Sequence, residues 1–143
     1  SRWSPLGTGI GGGLERVLAL GATEGGKLFV GGNFNTAGSV QASNTAVWDG
    51  GSWSTLGLGI NREVSSIAVG RNVVYLGGSS FTLPTGQEAR GVIQWDGNWS
   101  GLGDGLVTGR FLPQVRALRV DDKRVIAAGD PFVFPIADER ASR

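Results

Sequence analysis

The side chains that could carry acid–base, nucleophilic or metal chemistry are few in this chain of 143 residues. It contains no His and no Cys. That removes the commonest general base at neutral pH, the commonest metal ligand and any thiol. Ser–His–Asp and Cys–His arrangements cannot be assembled without them. Carboxylates remain, and pairs of them deserve testing as acid–base couples. Asp121-Asp122 and Asp138-Glu139 are neighbours in sequence, which on a strand sends them to opposite faces. Both pairs are expected to be solvated turn residues. Asp49, Asp96 and Asp104 lack the alternating 1, 3, 5 spacing of a calcium loop, and Asp49 and Asp96 read as turn formers. The glycine-dense Gly9-Ile-Gly-Gly-Gly13 is followed by no helix and no phosphate-binding Lys, so a nucleotide cradle is discounted. No catalytic residue, cofactor or metal is expected, and the chain is not expected to be an enzyme.

Composition narrows the partners. Thirteen basic and twelve acidic residues give a net charge of +1, which makes no electrostatic case for nucleic acid or an anionic membrane. No apolar run approaches the roughly 18 residues of a membrane span, so membrane insertion is not expected. A Cys-free chain is compatible with secretion, and an extracellular or cell-surface location is the expectation. There is no signal peptide and no initiator Met, and the chain opens in the middle of a repeated motif. A mature product or a fragment is expected.

That motif organises everything else. Ala46-Val-Trp-Asp-Gly-Gly-Ser-Trp-Ser-Thr-Leu-Gly-Leu-Gly59 returns as Val92-Ile-Gln-Trp-Asp-Gly-Asn-Trp-Ser-Gly-Leu-Gly-Asp-Gly105, and Ser1-Arg-Trp-Ser-Pro-Leu-Gly-Thr-Gly9 is a shortened copy. The second Trp falls at positions 3, 53 and 99, so the period is close to 47 residues. Asp-Gly after an apolar run marks a hairpin, because Gly accepts positive φ and Asp bonds its own backbone. Each unit holds four short strands. The first strands are Val17–Leu20, Val64–Val69 and Val115–Val120; the second are Leu28–Gly32, Val74–Gly78 and Val125–Gly129. The third are Thr45–Trp48 and Gly91–Trp95, and the fourth are Trp3–Leu6, Trp53–Leu56 and Trp99–Leu102. No helical apolar stripe persists over three turns. The 26 glycines read as punctuation between strands rather than as a disordered linker.

Four antiparallel strands per unit of this length predict an all-β chain, a β-propeller segment of about three blades. The expected division is a single propeller region over 1–143. Within it, 1–9 is the outer strand of a neighbouring or closing blade, 14–57 and 63–103 are full blades, and 113–143 is an incomplete third. The tail lacks Trp-Asp-Gly, so the last blade is expected to lack a recognisable outer hairpin, which Ser1–Leu6 could complete. About four blades are the minimum for a ring. Further blades of the same protein or self-association, for example three plus three, is therefore expected; open edges would otherwise invite pairing.

The pattern W-x-x-L-G-x-G, V-x-A-L, L-(F/Y)-V-G-G-x-F, A-x-W-D-G resembles the kelch-like repeats of bacterial secreted and surface proteins. It is also similar to the repeats of the fungal cortical cell-polarity marker family. Gly31-Gly-Asn-Phe-Asn-Thr-Ala-Gly38 carries the likeness most closely; the second unit keeps only Phe81 of that segment, and the third departs further. The resemblance implies a non-catalytic module for recognition, adhesion or scaffolding. Kelch-like proteins include galactose oxidase, but its copper site needs His, Tyr and a Cys cross-linked to Tyr, and Tyr75 is the one such residue here.

What varies between units is the better guide to a site. The loops after the second strands (33–44, 79–90, 130–143) and the connectors at 61–62 and 107–112 differ, and in a propeller both sets emerge on one face. Asn33, Asn35, Arg62, Gln87, Glu88, Arg90, Arg110 and Phe111 are the candidate contacts for a protein or glycan. A scaffold role in a larger assembly is the alternative. Trp48, Trp53, Trp95 and Trp99 could stack on sugars as in a lectin, but recurrence at fixed positions reads first as contact between units.

Overall fold

A computed structural model of the chain describes residues 1–12, 14–103, 105–106, 112–121, 124–130 and, for the backbone alone, 133–136. The described residues are all-β, and every strand pairing is antiparallel. The first sheet consists of β2 (Arg16–Ala22), β3 (Leu28–Asn33), β6 (Thr45–Trp48) and β7 (Trp53–Ser54) in that order. The second repeats it with β8 (Ser66–Val69), β9 (Val74–Thr82), β10 (Glu88–Trp95) and β11 (Trp99–Gly101). The third runs β12 (Gln114–Val120), β13 (Val125–Asp130) and β14 (Val133–Ile136). A small extra sheet joins β1 (Ile10–Gly11), β4 (Thr36–Ala37) and β5 (Val40–Gln41).

The Asp-Gly turns form as the chemistry dictates. Trp48 faces Trp53 across the β6–β7 turn and Trp95 faces Trp99 across β10–β11. Asp49 Oδ1 accepts from the Gly51 and Ser52 amides at 2.9 and 2.8 Å, and Asp96 Oδ1 accepts from Asn98 at 3.1 Å. These amide bonds hold the Asp49 carboxyl below its ordinary value of 3.8. Asp121 is likewise a turn residue, taking the Arg124 amide at 2.8 Å, while Asp104, Asp122 and the Asp138-Glu139 pair lie outside the described residues.

The sheets are joined face to face by their innermost strands. A core of Phe29, Val47, Leu56 and Ile60 from the first unit meets Val64, Leu76, Phe81 and Ile93 from the second. Ala68, Tyr75 and Val92 of the second meet Val115, Val125 and Ala127 of the third. Register explains the glycines ending the second strands. Gly31 pairs with Ala19, and Gly77 pairs with Ser66. A Cβ on Gly31 would lie 2.6 Å from Val64 Cγ1, and one on Gly77 2.6 Å from Val115 Cγ1. Each following sheet inserts a Val into the space that the missing side chain leaves.

The outer strands are tied differently. Leu6, Leu56 and Leu102 each head a Leu-Gly-x-Gly turn closed by a backbone bond, at 3.1, 3.0 and 2.9 Å. Trp53 Nε1 donates to the Leu6 carbonyl at 2.8 Å, and Trp99 Nε1 donates to the Leu56 carbonyl at 3.2 Å. Each unit's second Trp thus latches onto the preceding unit's turn, beside a tilted Trp–Trp pair with ring centroids 5.2 or 4.8 Å apart.

Three expectations need correction. The tail does supply part of an outer hairpin: 133–136 pairs with β13 as a third strand, because alternating residues there complete the ladder without any Trp-Asp-Gly. The loop after β3 is not irregular, since β4 and β5 fold back and pair with β1 from the preceding connector. In the second unit the expected loop 79–90 is mostly strand: β9 and β10 continue to Thr82 and Glu88, around a register shift between Arg90 and Val92. Residues 1–9 belong to no strand, for within one chain no sheet edge stands beside them.

Candidate functional site

The connections after β3 and β9 and the connectors between sheets interlock at one end of the sheets, opposite the Asp-Gly turns. Ile60 of the first connector donates its amide to the Ser43 carbonyl at 2.9 Å, and Leu106 of the second donates to Arg90 at 3.1 Å. Asn61 Oδ1 accepts the Thr82 amide at 2.9 Å. Across the small sheet, Gly38 donates to the Gly9 carbonyl at 2.7 Å. The backbone of this end is therefore fixed before any ligand arrives, which lowers the ordering cost of binding.

The candidate side chains divide into two groups on this scaffold. Asn33 ends β3 half-buried, paired with Arg16, and Asn35 is exposed. Asn35 is held by its backbone, whose amide donates to the Gly11 carbonyl at 3.1 Å and whose carbonyl accepts from Ala42 at 2.8 Å. The second group surrounds the β9–β10 tip. Gln87 and Glu88 are exposed there, and Glu88 Oε1 accepts the Thr82 hydroxyl at 2.7 Å. Arg62 is exposed and follows Asn61, which caps Thr82. Arg90 is exposed on the same hairpin, paired with Ser80. Arg110 and Phe111 lie outside the described residues.

These groups are hydrogen-bonding and of mixed charge, and they do not converge on a cleft. A shallow depression beside the second connector, lined by Leu106, Pro113, Val115, Ala127 and Gly129, has a single charged residue at its rim, Asp130, which Arg116 pairs at 2.7 Å. Among the described residues no three His, Cys, Asp or Glu side chains group as metal ligands. The one resolved shift in acidity, at Asp49, lies at the far end of β6.

Sequence reasoning missed Asn44 and Asn61. Asn44 adopts φ +63° and clasps two segments: its Oδ1 accepts the Phe34 amide at 3.2 Å, and its Nδ2 donates to the Ile60 carbonyl at 2.8 Å. A signal was present, because both Asn44 and Gly91 immediately precede a third strand, and Asn is the residue after Gly that best tolerates positive φ. No protein-family model matches the chain, and no curated protein matches it either.

Proposed function

We propose that the chain is a kelch-like β-propeller segment serving as a non-catalytic recognition module, with the connector end binding a protein or glycan in an extracellular or cell-surface setting. Face-stacked antiparallel meanders with a near-constant period support the propeller reading. The recognition reading is carried by one observation. Asn35, Arg62, Gln87, Glu88 and Arg90 are exposed on loops and hairpins whose backbone is locked by hydrogen bonds between units. Polar groups held on a rigid frame are what selective binding requires. The Trp pairs give the lectin alternative less support, because the indoles of Trp53 and Trp99 already bond Leu carbonyls and each ring leans on its partner.

The test compares the wild-type chain with a variant carrying Ala at 35, 62, 87, 88 and 90, on a printed glycan array and a panel of cell-surface ectodomains. The expected result is a wild-type ligand whose affinity falls at least about tenfold in the variant, roughly 1.4 kcal/mol, with an unchanged far-ultraviolet spectrum. A ligand held equally well by both proteins, or no ligand in either panel, refutes this surface.

A further inference from the structure

The two ends of the sheet stack are complementary. Among the described residues, seven large apolar side chains are exposed, and five of them, Trp3, Leu14, Val17, Leu18 and Leu20, lie at the start of the chain or on β2. Register shows what β2 lacks. Relative to the paired second strands, Val17 and Leu20 occupy the positions of Val64 and Ile67 in the second unit and of Val115 and Leu118 in the third. Val64 and Ile67 sit within 3.0 Å of where a Gly31 side chain would be, and Val115 and Leu118 cover Gly77. Val64 and Val115 are buried as a result, whereas Val17 and Leu20 are 45% and 59% exposed.

The opposite end carries the matching half. Ala128 stands at the register position of Gly31 and Gly77, paired with Ala117. Ser66, the counterpart of Ala117, is buried beneath the third sheet, while Ala117 is exposed. The outer latch shows the same asymmetry. The Leu6 and Leu56 carbonyls each accept an indole N–H as well as their turn amide; the Leu102 carbonyl has its turn amide, from Gly105, and no described indole near it. Trp3 is fully exposed.

We infer that copies of this chain associate head to tail, Val17 and Leu20 of one copy seating against Ala117 and Ala128 of another, with the Trp3 indole of the first donating to the Leu102 carbonyl of the second. The interface is a third instance of one the chain already builds twice, and it is heterologous, so it forms a ring where the rotation closes and a filament where it does not. It stands on the contacts between sheets and not on the recognition reading. Only closure by two copies rests on the propeller reading.

Light scattering on the eluting chain over a range of concentrations tests this. The expected mass is about twice 14.8 kDa. Leu20→Asp and Ala117→Trp, both at exposed positions, should each return the chain to single mass with an unchanged circular dichroism spectrum. Mixing the two variants should restore a pair, since each retains the half that the other has lost; a symmetric interface would not respond in this way. Trp3→Phe should weaken association about tenfold. A mass series growing with concentration and abolished by Leu20→Asp upholds the pairing and overturns the closed ring. A wild-type monomer at every concentration, or a doubled mass that survives both variants, overturns the pairing itself.

Discussion

Asn44 is where one side chain does most to hold the first unit to its connector. It ties the exit of β3, through the Phe34 amide, to the segment that leads into the second sheet, through the Ile60 carbonyl. Phe34 and Ile60 are 0% and 1% exposed, so neither backbone group regains water when the clasp is cut. Asn44→Gly keeps the backbone conformation and removes both bonds. Each bond contributes about 1 kcal/mol net, and stranding the buried groups raises the total to roughly 3 kcal/mol. Asn44→Ala loses the same bonds and also places a Cβ at φ +63°, which adds about 1 kcal/mol. Asn44→Asp keeps the acceptor for Phe34 and loses the donor to Ile60, which should cost about half as much as Gly. For a chain of this size roughly 4 °C accompanies each kcal/mol. Melting temperatures should therefore fall by about 6, 12 and 16 °C for Asp, Gly and Ala, read by circular dichroism and checked by urea unfolding. A Gly variant within about 0.5 kcal/mol of wild type, or an Ala variant more stable than the Gly one, would falsify the clasp.

Three further outcomes follow from the same contacts. Gly77→Val places its Cβ about where Ser66 Oγ and Val115 Cγ1 already lie, at 2.3 and 2.6 Å. It should cost about 3 kcal/mol in urea unfolding, and a mild effect would mean that the second and third sheets are not held this closely. Trp99→Phe removes the indole bond to the Leu56 carbonyl and should lose about 1–2 kcal/mol by the same measurement, while Trp3→Phe in a monomeric background should change stability little. Asp49 has a folded-state acidity stronger than its ordinary 3.8, so its contribution is fully present above that value. It is lost as pH falls through the still lower folded-state value. An acid titration of Asp49→Asn against wild type should therefore show the two curves converging below about pH 4, and curves that stay parallel to the acid limit remove the turn bonds from the account.

Much of this architecture was legible because repetition exposes constraint. Trp-Asp-Gly could be read as a hairpin turn since the same physical need, a tight reversal beside a ring that must meet its neighbour, recurs with the same residues. The glycines after the second strands were legible for the same reason, and Val64 and Val115 supply their cause. Strand ends were less so. Nothing local in Ser79-Ser-Phe-Thr82 or Glu88-Ala-Arg90 announces that β9 and β10 run on; the extension depends on Asn61 reaching across from a connector to pair the Thr82 amide, a contact that no spacing rule contains. The third strand at 133–136 was hidden by the loss of the marker Trp, although pairing with β13 needs only extended backbone.

The surface was harder to read for a reason that the repeats themselves supply. A residue kept at one position in every unit is already committed to joining units, as the indoles of Trp53 and Trp99 are to the Leu carbonyls. Ligand-binding groups must come from positions where the units differ, and difference alone does not separate a contact residue from a structural one. Asn44 and Asn35 show the problem: both are loop Asn residues of the first unit, yet one is a clasp and the other is exposed. Val17 and Leu20 are the converse case, keeping the apolar character of Val64 and Ile67 while remaining exposed. In a repeat protein, variable polar residues mark a surface open to foreign ligands, and a recurring apolar residue left uncovered marks a surface shaped for another unit of its own kind.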